Sequence, residues 1–345
     1  MKKLRILALM HEDLVPPNDV EGYDLSTVPW KTEFDVVETL KDLGHQVCPV
    51  GVWNDLAVIR DAIETFKPHI VFNLLEEFAS QRTYDQNVVS YLELLGVPYT
   101  GCSPGGLMLA RDKGWTKKIL SYHRIAVPEF MVVPVGRKVK RPKRLTFPLI
   151  VKSMTEEASL GISQASIVED DEKLQERVDF IHHSNSVGTG ALVERYIEGR
   201  ELYVGVLGNT RLQVLPIWEL VLSNLPEDAK KIATARVKWS DKYQKKYQIR
   251  SQVADGLSPE FQQKIHNVAK RVYRHLAITG YARIDLRLDQ NDHNKVYVLE
   301  ANPNAQLAYG EDFAESAEHA GLSYSDLLQR IISLGLRKHA DRSQR

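Results

Sequence analysis

Apolar residues run along the first hundred positions in two alternating rhythms. "LRILALM", from Leu4, is nearly unbroken, as a strand covered on both faces would be. "KTEFDVVETLKDLG" spaces Phe34, Val37, Leu40 and Leu43 by three, which places them on one face of a helix, with Gly44 set to end it. "QVCPVGV" is strand-like again. "NDLAVIRDAIETF" carries Leu56, Ile59, Ile63 and Phe66 at helical spacing behind an Asn cap. "HIVFNLL" and "DQNVVSYLELLG" repeat the pair. This alternation predicts an α/β unit with a parallel sheet and helices on both faces, Rossmann-like in architecture. The stretch from Pro16 to Trp30 interrupts it with three prolines and no periodicity. A structureless loop of that length is as a rule functional or disordered.

Beyond "PYTGCSPGG" the pattern predicts a helix over 107–122, a strand at "VPEFMVV", a strand at "FPLIVKS", a loop "MTEEASLGIS", a helix near 171–181 and a strand in "ALVERYI". The run "GRKVKRPKR" has six basic residues between Arg137 and Arg144, without interleaved aromatics, and reads as a solvated linker. Further on come strands at "ELYVGVLG" and "LQVLPIWEL", then a polar, lysine-rich loop over about 225–250. "SPEFQQKIHNVAKRVYRHLA" predicts a helix capped by Ser258 with Pro259 in its first turn. Strands at "YARIDLRL" and "KVYVLEA" follow, and "SYSD" opens a last helix with a capping box. The charged tail after Leu336 is expected to fray. No internal repeat is visible.

Composition narrows the classes. The 345 residues suit two or three domains of ~100–200 residues each. With 45 basic and 45 acidic residues the formal charge is zero, which gives no reason to expect nucleic acid or a membrane surface as partner. Two cysteines, Cys48 and Cys102, form no disulfide framework and fit a reducing compartment. Cys102, in its Gly- and Pro-rich loop, reads as a small residue in a tight turn. The apolar run in "MKKLRILALM" is too short for a signal peptide, and no stretch approaches the ~18 apolar residues of a membrane span. A cytoplasmic location is expected.

The chemistry-bearing residues gather late in the chain. There is neither GxxxxGK[ST] nor GxGxxG, so a bound nucleotide would use neither fingerprint. Alternation puts Arg283 and Asp285 on one strand face, and Glu300 and Asn302 of "YVLEANPN" on another. The short connection "DQNDHNK" suggests a hairpin whose register the sequence leaves open. Folded back, it would join Asp285, Glu300 and Asn302 beside Arg283. Three oxygen donors with open positions suit Mg²⁺; the alternative is an Asp–Arg ion pair on a solvated sheet face. Lys152 ends an apolar strand, and Lys113 lies on a helix. Glu194 ends one apolar run and Glu201 opens the next.

Taken in order and spacing, "PYTGCSPGGLMLARDKGWTKKIL", "FPLIVKSMTEEASLGIS", "LVERYIEGRELYVGVLG", "GYARIDLRL" and "VYVLEANPN" resemble the ATP-grasp superfamily, most closely its D-alanine–D-alanine ligase branch. The resemblance covers about Pro98 to Leu307. It implies a Rossmann-like N-terminal domain (1–105), an ATP-grasp small subdomain with a lid loop (106–197) and an ATP-grasp C-terminal subdomain with a magnesium site (198–345). It implies that Lys113 and Lys152 contact ATP phosphates, with Ser159 in the closing loop 154–163. Glu194 would face the adenine amino group, with the backbone of Arg195, Tyr196 and Ile197 as hinge, and Glu201 would take the ribose hydroxyls. Lys238 would lie near the phosphates, Arg283 would serve an oxyanion, and Asp285, Glu300 and Asn302 would hold two Mg²⁺ ions, with Mn²⁺ as an alternative. The implied activity is ATP-dependent ligation of a small carboxylate to an amine through an acyl phosphate; a homodimer is one possible assembly, and the sequence leaves the oligomeric state open.

The amino-acid positions depart from the branch. The family has a Gly-rich turn followed by a Glu after the first strand; this chain has "LALMHEDLVPPND", with Glu12 as the stand-in. Ala158 and Ser159 replace two serines, and Lys238–Trp239 replaces a Lys–Tyr pair. "PNAQLAYGEDFAESA" replaces a Pro-Gly turn and a serine. The Pro16–Trp30 loop and an aromatic pair, Tyr309 and Phe313, are expected to line a different pocket. The alternatives are a true D-alanine–D-alanine ligase of cell-wall synthesis and a non-catalytic ATP-binding protein on the same fold.

Overall fold

Arg5–His11 (β1) is the middle strand of the first sheet, and its five central residues are fully buried, which explains their unbroken apolar run. It pairs in parallel with Gln46–Val52 (β2) and Ile70–Asn73 (β3) in the order β2-β1-β3. The structure, a computed structural model, describes residues 3–154, 162–184, 190–222, 224–226, 229–292 and 295–343. Two crossover helices connect the strands, Lys31–Asp42 (α1) and Leu56–Phe66 (α2). Helix α1 buries Glu33, Val36, Val37 and Leu40, while Phe34 stays half-buried, so the core face is rotated slightly from the one the spacing predicts. The cap of α2 is Asp55, which accepts the Ala57 N–H, and not Asn54. Asp85–Leu94 (α3) completes this part, and a parallel bridge between Val71 and Tyr99 extends the sheet.

The helix expected over 107–122 is two helices, Pro104–Arg111 (α4) and Lys113–Tyr122 (α5). Asp112 between them is extended, and its carboxylate accepts the Trp115 N–H as an N-cap. Lys113 therefore opens α5. Phe130–Val133 (β4), Leu149–Ser153 (β5), Ile167–Val168 (β6) and Ala191–Arg195 (β7) make a small antiparallel sheet, ordered β4-β7-β5-β6. Asp171–Ser184 (α6) covers it through Leu174, Val178 and Ile181.

The large sheet joins Gly199–Leu207 (β8), Gln213–Val221 (β9), Arg250–Val253 (β10), Tyr281–Asp289 (β11) and Val296–Pro303 (β12) in the antiparallel order β10-β9-β8-β11-β12. The stretch read as a polar loop over 225–250 holds two short helices, Ala235–Trp239 (α7) and Asp241–Tyr247 (α8), capped by Thr234 and Ser240. Pro259–His275 (α9) buries Ile265, Ala269, Val272 and Tyr273. Asp312–His319 (α10) and Tyr324–Ser343 (α11) close the chain; the Ser323 hydroxyl caps α11 by accepting the Asp326 N–H and donates to the Asp326 carboxylate. The tail expected to fray continues α11, held by Lys338 on the Gly101 carbonyl and Arg342 on Glu93.

Helix α11 packs Leu327, Leu328, Ile331 and Ile332 with Ile6, Ile70 and Phe72 of the first sheet. Tyr309 and Phe313 form no pair. Phe313 is buried against Tyr281, whereas Tyr309 is exposed beside Tyr324. At the seam between first and large sheets, a Cβ on Gly280 would meet the Gly101 carbonyl at 2.6 Å, so only glycine allows this approach. The Cys102 N–H donates to Asn304 Oδ1 there at 2.8 Å. Among the described residues, no helix is long and apolar enough to cross a membrane.

Candidate active site

Register builds the floor of the site. Asp285 on β11 lies opposite Tyr203 on β8 and Glu300 on β12; Arg283 lies opposite Asn302, and Arg287 opposite Glu201. One face thus carries Glu201, Tyr203, Arg283, Asp285, Arg287, Glu300 and Asn302. The ladder then slips: Asp285 pairs with Glu300, but Leu286 pairs with Val298. Leu299 is the extra residue of a β-bulge, and Leu299 and Glu300, though consecutive, both line the cleft above.

That cleft lies between the small and large sheets. Lys113, Lys152 and Lys238 face Glu201, Asp285 and Glu300 across it, with Ile150, Ile232 and Leu299 as apolar walls. Arg283 grips Asp285 with two nitrogens, Nε to Oδ1 at 2.7 Å and Nη2 to Oδ2 at 2.9 Å, while its guanidinium lies over the Tyr203 ring at 4.5 Å. The Asp–Arg pair therefore exists, but on a buried face, since Asp285 is 3% exposed. Burial pushes the Asp285 carboxyl up to about 6 against the pull of Arg283, and the charge of Glu300 adds to the rise. Burial also works on Glu300, but Lys113, at 3.7 Å, with Lys238 and Lys152, outweighs it and holds Glu300 down at about 2.

On the small-sheet side, Glu194 is almost fully enclosed and is shared between two lysines. Lys152 Nζ reaches Oε1 at 2.6 Å, and Lys117 Nζ reaches Oε2 at 2.7 Å. Burial raises the Glu194 carboxyl, but the two ammonium groups bring it below its ordinary value. Both oxygens thus face ammonium groups, where the resemblance implies an adenine amino group. Glu201 accepts from the Tyr203 hydroxyl at 2.9 Å and pairs with Arg287 at 3.3 Å. The Arg195 and Tyr196 N–H groups are used by the Glu129 and Pro148 carbonyls, the Arg195 side chain donates to the Tyr297 hydroxyl at 2.6 Å, and Ile197 is buried. Ser159, Ala158 and most of the closing loop lie outside the described residues.

Lys117 and Arg287 escape a reading by motif. Lys117 follows Lys113 by four on α5 and so shares its face, and Arg287 follows Asp285 by two on its strand. Both signals were in the spacing. For a metal, the donors are two carboxylates and the Asn302 amide, an all-oxygen set that suits a hard cation. No group of three or more His, Cys, Asp or Glu side chains suited to a metal occurs among the described residues. The Asn302 amide nitrogen is a buried donor without a hydrogen-bond partner, a site open to an acceptor from a ligand.

The family model described as "D-ala D-ala ligase C-terminus" matches residues 119–333. A D-alanine–D-alanine ligase of Desulforudis audaxviator is 33% identical over 310 residues, covering 87% of this chain and 90% of that protein. An uncharacterized protein of Sinorhizobium fredii, y4sG, is 30% identical over 92% of both chains. The crystal structure of D-alanine–D-alanine ligase from Bacillus anthracis complexed with ATP superposes with a TM-score of 0.73 at 22% identity, covering 98% of this chain and 99% of that one. At that identity the likeness speaks for the fold, an ATP-grasp arrangement behind a Rossmann-like sheet.

Proposed function

The chain belongs to the D-alanine–D-alanine ligase family, and from that premise we propose that it is an ATP-dependent ligase joining a small carboxylate to an amine, in the cytoplasm. A carboxylate oxygen attacks the γ-phosphorus of ATP, the bond from that phosphorus to the β,γ-bridging oxygen breaks, and ADP leaves. The amine then attacks the acyl carbon of the acyl phosphate, loses a proton and expels inorganic phosphate. Such chemistry needs positioning and charge neutralisation more than covalent help. The observation that carries the reading is the cleft itself, where three lysines face three carboxylates between two sheets.

In this reading Lys113 and Lys152 bind phosphate oxygens, Lys238 closes over them, and Glu201 receives the ribose. Arg283 serves the oxyanion that develops at the acyl carbon. Asp285, Glu300 and Asn302 would hold Mg²⁺, which would neutralise phosphate charge when bound. The amino-acid end is read as diverged. Glu12 sits exposed on a 3-10 turn, Glu12–Leu14, and the loop after Asn302 is tied to α1 by Lys31 on the Tyr309 carbonyl and by the Tyr309 N–H on Asp35. We infer substrates other than a pair of D-alanines.

Phosphate release from ATP over a grid of carboxylates and amines tests this. Release is expected only with both partners present, and D-alanine alone should support it poorly. Robust D-alanine turnover would make this a D-alanine–D-alanine ligase in substrate as well as family. No release from any pair, with ATP still bound, would favour a binding protein.

A further inference from the structure

Lys117 is 1% exposed and does not line the cleft. Its ammonium forms an ion pair with the Glu194 carboxylate at 2.7 Å, outside hydrogen-bond geometry, and donates to the Leu299 carbonyl at 3.2 Å. Leu299 is the bulged residue of β12, so its carbonyl sits where the ladder is interrupted, and the lysine satisfies it. The ion pair and the hydrogen bond hold the ammonium inside the protein, out of reach of a ligand. Lys152 differs. It shares the same carboxylate at 2.6 Å, keeps 14% of its side chain exposed, and lines the cleft.

The charges of the three groups then decide what a ligand meets. Glu194 alone with Lys152 would be a neutral pair, closed on itself. With Lys117 added, the trio carries one net positive charge, and its only outlet is Lys152. We propose that Lys117 is a positioning residue that sets the charge the cleft presents to nucleotide phosphates, by taking part of Glu194 away from Lys152. The proposal rests on the nucleotide reading of the cleft. The directions of titration agree with it. Burial pulls the Lys117 ammonium down more than Glu194 restores it; burial also pulls on Lys152, but Glu194, Glu300 and Glu201 lift it above its ordinary value. Lys152 is thus the more firmly charged of the two.

The test is the ratio of ADP to adenosine affinity by calorimetry, without metal, since that ratio reads the phosphates and cancels the base and sugar. The wild type is compared with Lys117→Met, Glu194→Gln and the double variant. Lys117→Met should lower the ratio by about ten-fold, the loss of one charge-assisted contact. Glu194→Gln should raise it, and the double variant, whose trio again carries one positive charge, should return to the wild-type ratio. If Lys117→Met does not fold for want of a partner to Glu194, the double variant and Glu194→Gln still decide. A double variant as weak as Lys117→Met, or equal ratios in all four proteins, would overturn the role of Lys117. A wild type that binds ADP no better than adenosine would instead overturn the reading of the cleft.

Discussion

Arg283 holds Asp285 by both carboxylate oxygens from two positions further back on the same strand, so the two side chains share a face and a buried one. A lysine has one ammonium and cannot reproduce that two-pronged contact. Arg283→Lys is expected to lower kcat by about 10²–10³ if the guanidinium serves a developing oxyanion. The KM for ATP should change by less than about three-fold, because the loss falls on the transition state. Steady-state kinetics on the substrate pair found by phosphate release would show this, and an unchanged kcat would remove Arg283 from the reaction.

Glu300 faces Lys113 at 3.7 Å and keeps its negative charge under every ordinary condition, being held near 2. Glu300→Gln keeps the shape and removes the charge. The Mg²⁺ concentration for half-maximal turnover should rise by at least about ten-fold, as for loss of a ligand-sphere carboxylate. Circular dichroism should remain that of the wild type. Magnesium dependence identical to the wild type would mean that the hairpin holds no metal through Glu300.

Glu33 lies buried in the first turn of α1, and burial, with Glu76 and Asp35 adding to it, lifts its carboxyl from 4.5 to about 7. The folded state therefore keeps a proton that the unfolded chain gives up. Stability should fall as pH rises through the window from 4.5 to 7, by about 3 kcal/mol at ~1.4 kcal/mol per unit, and level off above it. Glu33→Gln should flatten that slope and be the more stable protein at pH 8. Urea midpoints at pH 5 and pH 8 provide the measurement, and parallel profiles for the two proteins would contradict it.

Arg111 on α4 meets Asp85 at the start of α3, Nη2 to Oδ2 at 2.5 Å, with both side chains at least nine-tenths buried. Removing one partner takes the ion pair away from a buried charge. Arg111→Met should cost about 3–5 kcal/mol, and adding Asp85→Leu should recover most of it. Chemical denaturation of both variants would decide, and a double variant no better than the single would place the loss in packing.

The sequence made the strand faces legible because alternation is a local property. Arg283 with Asp285, and Glu300 with Asn302, could be paired on a face before any fold was known. The register that sets Asp285 against Glu300 was not legible, since seven loop residues allow several. Nor was the bulge at Leu299, because alternation counts residues along one strand and a bulge is a mismatch between two. Lys117 shows a third limit. Its helical spacing gave a direction, but depth depends on what packs above it, and only the fold brings Glu194 and Leu299 within reach. Helices α7 and α8 were hidden because runs of five and seven residues are too short to show a helical period.

The packing of α11 on the first sheet has a consequence for synthesis. Strand β3 ends at Asn73, and Val36 and Leu40 of α1 already join Ile6, Ile70 and Phe72, yet the α11 share of that cluster begins at Leu327, some 250 positions later. A ribosome adding ~5–20 residues per second leaves that cluster incomplete for roughly 12–50 s. The first unit to emerge is thus among the last to be finished, and until α11 is made a nascent chain of this protein leaves part of that apolar cluster open to chaperones.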